Sequence, residues 1–489
     1  MNLAELPLGH PANSSVLVDC FGPMTYAELL DQAARWRLRL VDAGIGQGDR
    51  VAILCGNDRR FVASYLGILG IGATAVPLNP LSPSPEIESE LRAVGAAAAI
   101  STSQLQFEGT QVLVADSVLG PQVQDGAVPP SEFPQIVDCQ GNDPAVLLFT
   151  SGTAGSPKAA ILTHGSLLAN LDQIQSHPGR QALSSDVGLA VLPLFHVFGL
   201  NVILNLALKS GGSLVMADRP DPLDTLNSIA EYGVTLVAGV PALFDAWTHV
   251  GASDAMAGVR MAISGGAPLS RETALGFENK FGIPVWEGYG LTEASPVVTS
   301  PVFEGRPISG SVGVPLPGVE LRLVDSSGED ALVGDAGEVL VRGPNVFGGY
   351  WRDTGSTMRV LDSDGWLHTG DIAVSDVAGN LFLVDRAKDL IIVSGFNVYP
   401  QEVEQVISEV EGVTEVAVAG SRNMSGGEAV VAYVVRSAGS KTVDGDITGA
   451  CRERLAAYKC PTTVFFVDSL PRAASGEVLR RALGPDKVA

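Results

Sequence analysis

The chain of 489 residues contains little cysteine and few basic residues. Its five cysteines are odd in number, are scattered and include no C-x-x-C pair, so neither a disulfide framework nor a cysteine zinc site is indicated. A reducing compartment suits such a chain. Its 31 lysines and arginines face 54 acidic residues, which gives a net charge of −23. That excess of acid disfavours binding to nucleic acid or to an anionic membrane surface.

Long apolar runs are also missing. No segment reaches the roughly 18 uninterrupted apolar residues that indicate a membrane-spanning helix. Residues 1–5 show no basic stretch leading into an apolar one, as a secretory signal would. We therefore expect no integral membrane segment and a cytoplasmic location. The 56 glycines and the 46% hydrophobic content are typical of a large α/β enzyme of two or more domains.

The order of apolar runs along the chain predicts the fold class. From residue 24 to about residue 320, short apolar runs alternate with amphipathic helical stretches, which predicts an α/β fold of layered βαβ units. Thr25 is the predicted N-cap of the first helix. Residues 310 to 385 hold short strands between Gly, Pro and Asp turns and predict a β-rich subdomain. The predicted buried parallel strands are Val51–Cys55, Ala73–Pro77, Ala97–Ser101, Gln111–Ala115, Gly188–Leu192, Ser213–Met216, Thr235–Gly239 and Met261–Ser264.

The last hundred residues form a pattern of their own, in the order helix, strand, strand, helix, strand. We predict from it a small α+β domain that follows the larger one. The expected boundaries are an N-terminal domain over residues 1–385, a hinge at 386–389 and a C-terminal domain over 390–489.

The run Thr150–Lys158 is the most informative segment of the chain. It follows an apolar run that ends at Phe149, and it cannot build a core because it consists of hydroxyls, small residues, a proline and a lysine. Glycines let backbone N–H groups form an anion-binding nest, the hydroxyls donate, and Lys158 supplies charge. The spacing differs from that of the common P-loop. The candidate phosphate-binding residues are Thr150, Ser151, Gly152, Thr153, Gly155 and Lys158.

Two further segments suit a nucleotide. The first segment, Gly265–Pro268, directly follows a predicted strand. Its glycines permit a planar ring to lie against the backbone. In the second, Trp286–Glu293, Tyr289 could stack a base, Thr292 could contact a phosphate and Glu293 could hold Mg²⁺. An ordinary core tyrosine is the alternative for Tyr289. The candidate nucleotide-binding residues here are Gly265, Gly266, Ala267, Gly288, Tyr289 and Gly290.

A carboxylate and an arginine complete the set. Asp371 lies in the run Thr369–Asp371, fifteen residues before Arg386. A carboxylate suits ribose hydroxyls, and an arginine suits phosphate or ribose oxygens. A plain turn residue is the alternative for Asp371.

Together these segments resemble the adenylate-forming acyl-CoA synthetases, over about residues 25–483. The run Asp385–Pro400, with Glu402 and Glu404 after it, is most similar to the fatty acyl-CoA ligase branch. The resemblance implies an acid–thiol ligase that uses ATP and Mg²⁺ to convert a carboxylic acid into acyl-AMP. The small C-terminal domain would then rotate, and CoA would attack the acyl group. It does not indicate an oligomeric state.

The resemblance also implies a role for each matching residue. Thr150 to Lys158 would hold the β- and γ-phosphates, Thr292 would contact the α-phosphate, and Thr150 and Glu293 would bind the metal. The remaining implied roles are adenine contact for Gly266 and Tyr289, ribose contact for Asp371 and Arg386, the hinge for Lys388, the pantetheine approach for Gly395 and Phe396, and an acyl-pocket gate for His196.

The acyl pocket itself is expected to be apolar. Its candidate residues include no lysine or arginine, which favours an apolar tail over an amino or dicarboxylic acid. For His196, a hydrogen bond at a helix start is the alternative to gating. The candidates are Phe198, Ala238, Gly239, Gly265, Gly288, Pro296 and Val297.

One catalytic position departs from the pattern. In the segment Leu470–Leu483, relatives carry a lysine where this chain has Glu477, and that lysine bridges the substrate carboxylate and the α-phosphate. One unit-charge interaction at ~4 Å and an effective dielectric of ~20 is worth about 4 kcal/mol, so the reversed charge predicts weakened adenylation. Three alternatives stay open. Another lysine, best placed at Lys459, could substitute; the chain could bind acyl-AMP or ATP without adenylation; or the acceptor could be a carrier-protein thiol or an amine.

Overall fold

The chain folds as a mixed α/β protein with two mostly parallel sheets in its larger part. A strand-rich subdomain and a C-terminal domain with its own buried core follow. The computed structural model describes residues 1–116, 133–150, 158–179, 181–217, 221–302, 305–325, 328–386, 391–394, 396–398, 400–422, 427–437, 439–471 and 483.

The described strands, numbered along the chain, are short, as the apolar runs predict. They are β1 (Ser15–Asp19), β2 (Gly22–Thr25), β3 (Arg50–Leu54), β4 (Thr74–Pro77), β5 (Ala98–Ser101), β6 (Gln111–Val114), β7 (Pro144–Thr150), β8 (Lys158–Thr163), β9 (Val187–Ala190), β10 (Ser213–Met216), β11 (Leu236–Gly239), β12 (Met261–Ser264), β13 (Val285–Glu287), β14 (Tyr289–Gly290), β15 (Val297–Ser300), β16 (Val314–Pro315), β17 (Glu320–Val324), β18 (Ala336–Arg342), β19 (Leu367–Ser375), β20 (Leu381–Arg386), β21 (Ile391–Val393), β22 (Phe396–Val398), β23 (Val413–Arg422), β24 (Glu428–Arg436) and β25 (Thr463–Phe466).

The described helices cover the sheets. They are α1 (Tyr26–Asp42), α2 (Arg59–Gly70), α3 (Ser84–Val94), α4 (His164–Ser176), α5 (Leu206–Ser210), α6 (Pro222–Tyr232), α7 (Pro241–His249), α8 (Arg271–Phe281), α9 (Thr354–Val360), α10 (Pro400–Ser408) and α11 (Asp444–Arg454), with short 3₁₀ turns at Leu3–Glu5, Ser253–Met256, Thr292–Ala294 and Ala457–Lys459 and a π-helix at Phe198–Asn205.

The first sheet has the strand order β6-β5-β3-β4-β7-β8, and its strands run parallel except for β8. The second has the order β13-β12-β11-β9-β10-β1-β2 and is parallel except for the β1–β2 hairpin. All eight predicted strands are present and parallel, but the edge strand β6 is partly exposed and not buried as predicted. Their division between two sheets was not predicted, because alternating apolar runs do not specify which strands pair.

Helices α1 and α2 connect the two sheets. Helix α1 packs on β1 and β2, whereas α2 packs on β3 and β4 and against α1. The helices approach closely because Gly67 has no side chain: a Cβ there would lie 2.4 Å from the Cβ of Trp36. The predicted N-cap of α1 is confirmed, since Thr25 accepts from the Glu28 N–H and the Glu28 carboxylate accepts from the Thr25 N–H.

The later part of the chain is rich in short strands, as predicted. Strands β14 to β16 form one antiparallel sheet, and β17 to β20 form another. The C-terminal domain has the predicted order α10, β23, β24, α11, β25. Its buried cluster begins at Ile391, apart from the main core, which extends from Leu3 to Leu381. Within the described ranges, no helix is both long and apolar enough to cross a membrane.

Candidate active site

A cavity of about 90 Å³ lies where the two domains meet. It brings together Thr150, His196 and Thr292 of the N-terminal domain with Phe396 of the C-terminal domain. Thr150 ends β7, His196 precedes the π-helix, and Thr292 begins a 3₁₀ turn. Predicted site residues from four distant segments of the chain therefore line one cavity.

The two ends of the predicted phosphate loop lie side by side. Strands β7 and β8 pair Thr150 with Lys158, and the Thr150 hydroxyl donates to the Lys158 carbonyl at 3.4 Å. The Lys158 ammonium lies 5.4 Å from the ring centroid of Tyr350, a cation–π distance. The intervening candidates Ser151, Gly152, Thr153 and Gly155 lie outside the described residues.

Tyr350, which is not among the residues predicted from the sequence, joins two predicted catalytic residues. Its hydroxyl donates to Glu293 Oε1 at 2.7 Å, while its ring faces Lys158. The backbone holds it there, because the Ile161 N–H donates to the Gly349 carbonyl at 2.9 Å, next to β8. Tyr350 lies 57 residues from Glu293 in the chain, so no motif spacing indicates the contact.

We expect Tyr350→Phe to lower the rate of acyl-AMP formation about tenfold at limiting Mg²⁺. A hydrogen bond to a charged group contributes about 1.5–3 kcal/mol, and its loss would let the Glu293 carboxylate turn away from the position predicted for Mg²⁺. The phenyl ring keeps the contact with Lys158. The measurement is ATP–pyrophosphate exchange over a Mg²⁺ titration, with Tyr232→Phe, an exposed tyrosine, as control. An unchanged Mg²⁺ dependence would contradict the role of Tyr350.

Tyr289 and Asp371 form a second hydrogen-bonded pair. The Tyr289 hydroxyl donates to Asp371 Oδ2 at 2.7 Å, and the tyrosine is only 7% exposed. The ring packs in the hydrophobic core, and its hydroxyl orients the Asp371 carboxylate. Asp371 lies opposite Arg386 in the register of β19 and β20, although the Arg386 side chain is outside what the structure describes.

The glycine segment after β12 provides an open edge beside this pair. Gly266 has φ +80°, a conformation that favours glycine, and is exposed, whereas Gly265 is buried. A Cβ on Gly265 would lie 3.1 Å from the Phe198 ring. Ala267 follows, half-buried. This segment therefore has backbone available for contact with a planar ring.

A half-buried glutamate, Glu287, fixes the same segment. The Leu269 N–H donates to Glu287 Oε1 at 2.9 Å, and burial raises the pKa of Glu287 to about 7. Directly after β13, the Gly288 N–H donates to the Ser264 carbonyl at 3.0 Å. A Cβ on Gly288 would lie 3.3 Å from the Thr299 carbonyl oxygen, and one on Gly290 would lie 2.1 Å from the Pro296 carbonyl oxygen, so both glycines allow close packing.

His196 lies at the contact between the domains. Its Nδ1 accepts from the Phe198 N–H at 3.4 Å, which is the helix-start hydrogen bond weighed as the alternative. Its ring also meets the Phe396 ring edge-on, with centroids 6.4 Å apart. Burial lowers the pKa of His196 to about 4, so the imidazole is neutral at pH 7. Gly395, Lys388 and Glu477 lie outside the described residues.

A second cavity, of about 60 Å³, lies between the π-helix and strands β9, β11 and β12. Val202, Ala238 and Ile263 line it. Of the predicted acyl-pocket residues, Ala238 lines this cavity, and Phe198 lies one helical turn before Val202. Arg260 and Asp186, which form an ion pair at 2.6 Å, also line this cavity.

Two family models match the chain over most of its length. The model described as AMP-binding enzyme matches residues 7–351, and the one described as AMP-binding enzyme C-terminal domain matches residues 402–477. The chain belongs to the AMP-binding enzyme family. The sequence resemblance is thereby confirmed, and so is the enzyme class, an AMP-forming acid–thiol ligase.

Curated relatives agree with this class. A long-chain-fatty-acid–CoA ligase of Yersinia pestis is 35% identical over 517 aligned residues, covering 95% of this chain and 90% of its own. A feruloyl-CoA synthase of Amycolatopsis sp is 36% identical, covering 94% of this chain and 92% of its own.

Solved structures share the fold but to different degrees. A double mutant of o-succinylbenzoate CoA synthetase from Bacillus subtilis, bound with the product analogue OSB-NCoA, superposes with a TM-score of 0.89 at 29% identity, covering 99% of this chain and 98% of its own. ATP-bound MatB from Rhodopseudomonas palustris superposes with a TM-score of 0.73 at 30% identity, covering 100% of both chains.

Proposed function

We propose that this acyl-CoA synthetase activates an apolar carboxylic acid, foremost a fatty acid, with ATP to acyl-AMP and then transfers the acyl group to CoA. The observation that carries the proposal is the cavity between the domains, where Thr150, Thr292 and His196 meet Phe396. The cavity thus combines two hydroxyls that suit a phosphate with an aromatic ring from the C-terminal domain. One cavity could thus serve both half-reactions.

In the first half-reaction, the acid's carboxylate oxygen attacks the α-phosphorus of ATP and pyrophosphate leaves. Lys158 and the hydroxyls of the loop would neutralise the leaving phosphates, and Thr292 would donate to the α-phosphate. Asp371, oriented by Tyr289, would accept from the ribose hydroxyls. Burial keeps His196 neutral, so it would bound the acyl pocket without adding charge.

Mg²⁺ fits this set of residues as an ion that arrives with ATP. Protein sites for Mg²⁺ commonly supply one or two carboxylates, and substrate phosphates supply further ligands. Glu293 offers one carboxylate and Thr150 one hydroxyl. Among the residues that the structure describes, no group of three His, Cys, Asp or Glu side chains is arranged to hold a metal by itself. Glu293 and Thr150 would therefore hold the ion, which would offset phosphate charge.

In the second half-reaction, the CoA sulfur forms a bond to the acyl carbon and AMP leaves. The arrangement of the domains supports this assignment. At nearly equal identity, the chain superposes better on the synthetase bound with OSB-NCoA, at 0.89, than on the ATP-bound ligase, at 0.73. We infer that the structure has the thioester-forming arrangement and that the chain divides into residues 1–385, a hinge at 386–389 and residues 390–489.

The apolar cavity favours an acid with an aliphatic tail over a small acid as the substrate. It lies along β11, where Leu236, Val237 and Ala238 line it, and it reaches Arg260 at the amino end of β12. Three strand residues span about 10 Å, which an extended chain of about eight carbons matches. The lining side chains near Ala238 are aliphatic, so burial of methylene groups would provide the binding energy.

We expect Ala238→Phe to shift the preference towards shorter acids. The phenyl group would displace about three methylene groups at ~0.8 kcal/mol each, a loss of about fiftyfold in kcat/KM for a decanoate-length acid. Acetate, which has no tail to reach Ala238, serves as the internal control. Equal effects on both acids would show that the cavity does not hold the tail.

The experiment that tests the proposed function measures pyrophosphate release from ATP and Mg²⁺ with a panel of acids, first without and then with CoA. The panel runs from acetate to palmitate and includes ferulate, because a feruloyl-CoA synthase is among the relatives. We expect release to be greatest with medium or long aliphatic acids and acyl-CoA to form on adding CoA. A preference for ferulate would overturn the fatty-acid assignment.

A second candidate function rests on Glu477 alone. If the reversed charge abolishes adenylation, the chain would bind acyl-AMP or ATP and at most complete the thioester step. Absence of pyrophosphate release with every acid, together with acyl-CoA formation from supplied acyl-AMP, would select this candidate.

A further inference from the structure

A buried ion cluster joins the two domains beside the proposed reaction cavity. Lys459 of the C-terminal domain donates to Glu86 Oε1 of α3 at 2.7 Å and to Glu402 Oε1 of α10 at 2.8 Å. The three side chains are 8%, 7% and 9% exposed, respectively. The Lys459–Glu86 bond links residues 373 positions apart, across the domain boundary.

The charges of this cluster are paired across the domain boundary only while the domains are in contact. Besides Glu86 and Glu402, Glu90 of α3 faces Lys459, and burial beside Glu86 raises the pKa of Glu90 to about 8. Two carboxylates and one neighbouring acid thus share one ammonium. If the C-terminal domain moved away, Lys459 would keep Glu402, whereas Glu86 would lose this partner. While the domains are in contact, removing one charge of such a pair leaves the other buried and less compensated, which is strongly unfavourable, so the contact depends on Glu86 and Lys459 being paired.

The cluster also adjoins the aromatic contact of the site. Tyr458, next to Lys459, stacks on Phe396 with ring centroids 4.3 Å apart. Phe396 in turn meets the rings of Phe195 and His196. Glu86 and Lys459 line the same cavity as Thr150. Any movement of Lys459 away from α3 would therefore withdraw Phe396 from His196.

We propose that Glu86 is a positioning residue for the thioester-forming step: through Lys459 it holds the C-terminal domain where Phe396 lies against His196. The inference rests on the proposed two-step function and adds to it the group that stabilises the second arrangement. Adenylation, if it uses another arrangement of the domains, does not need this bond. Loss of the Glu86 charge should accordingly separate the two half-reactions.

The test compares Glu86→Gln with Glu88→Gln in the full-length chain. Glu88 is two residues away on α3, is partly exposed and pairs with Arg92 of its own helix, so it matches the charge change without the domain contact. Adenylation is measured as ATP–pyrophosphate exchange, and the thioester step as acyl-CoA formation from supplied acyl-AMP and CoA. We expect Glu86→Gln to slow the thioester step at least tenfold and to leave exchange within twofold, with Glu88→Gln near wild type in both.

A physical measurement separates this inference from the proposed function. Hydrogen exchange followed by mass spectrometry on the same proteins should show faster exchange around residues 456–460 and in α3 for Glu86→Gln, whether or not the wild type is active. Unchanged protection, or equal loss of both half-reactions at an unchanged melting temperature, would overturn the positioning role. If the wild type makes no acyl-AMP and no thioester but the protection changes as expected, the proposed function fails and the domain contact stands.

Discussion

Replacing Glu477 with lysine should raise the rate of acyl-AMP formation about a hundredfold. The substitution exchanges repulsion for attraction at the point where negative charge collects between the carboxylate and the α-phosphate. One unit-charge interaction there is worth about 4 kcal/mol at an effective dielectric of ~20, and about 2.7 kcal/mol corresponds to a hundredfold change in rate. ATP–pyrophosphate exchange with a saturating fatty acid measures the effect.

The thioester step supplies the internal comparison for Glu477→Lys. Acyl-CoA formation from supplied acyl-AMP should change less than twofold, since no phosphate charge builds up in that step. Glu453→Lys makes the same change in net charge at an exposed position of α11 and should leave both rates unaltered. If Glu477→Lys leaves pyrophosphate exchange unchanged, residue 477 does not lie at the carboxylate, and the expectation of weakened adenylation is wrong.

Replacing Lys158 with alanine should lower ATP-dependent acyl-AMP formation about a hundredfold. Removing one preorganised donor to developing charge commonly costs 10²–10³ in rate. The position supports this size of effect, because Lys158 pairs with Thr150 across β7 and β8 and faces the ring of Tyr350, which itself bonds Glu293. Initial rates of pyrophosphate release over an ATP titration give the change in kcat/KM for ATP.

Lys209→Ala is the matched control for Lys158→Ala. This substitution also removes an ammonium group. Lys209 pairs with the exposed Asp172, and an ion pair at the surface contributes little to stability. Acyl-CoA formation from supplied acyl-AMP should persist in Lys158→Ala, because no pyrophosphate leaves in that step. Wild-type kinetics for ATP in Lys158→Ala would remove Lys158 from the phosphate site.

Apolar runs were sufficient to predict eight parallel strands but not their neighbours β1 and β13, and a side-chain contact accounts for one difference at a strand end. The predicted strand Gly188–Leu192 ends two residues early, as β9 at Ala190. Beyond that point the Asn57 amide donates to the carbonyls of Ala190 and Leu192, and the Leu194 N–H donates to its oxygen. Beyond Ala190, the backbone therefore bonds to the side chain of Asn57 and not to a neighbouring strand. The local sequence does not indicate this contact.

The residues of the candidate site also fall into two groups, those that a local motif predicts and those that depend on a distant partner. Residues that carry their chemistry in a local motif, such as Thr150, Lys158 and Glu293, could be proposed from the sequence. Tyr350 and Glu86 could not, because each gains its role from a partner brought close by the fold: Glu293 for Tyr350 and Lys459 for Glu86. From the sequence, Lys459 is only a candidate substitute for the missing lysine, whereas in the structure it is buried between two glutamates.

The most direct test of the account follows one oxygen atom of the substrate. A fatty acid labelled with oxygen-18 in both carboxylate positions is incubated with the protein, ATP, Mg²⁺ and CoA, and the nucleotide product is analysed by mass spectrometry. If the acid attacks the α-phosphorus and CoA then displaces AMP, each AMP formed carries one labelled oxygen and equals the acyl-CoA in amount. Unlabelled AMP, or ADP in place of AMP, would contradict the adenylation route.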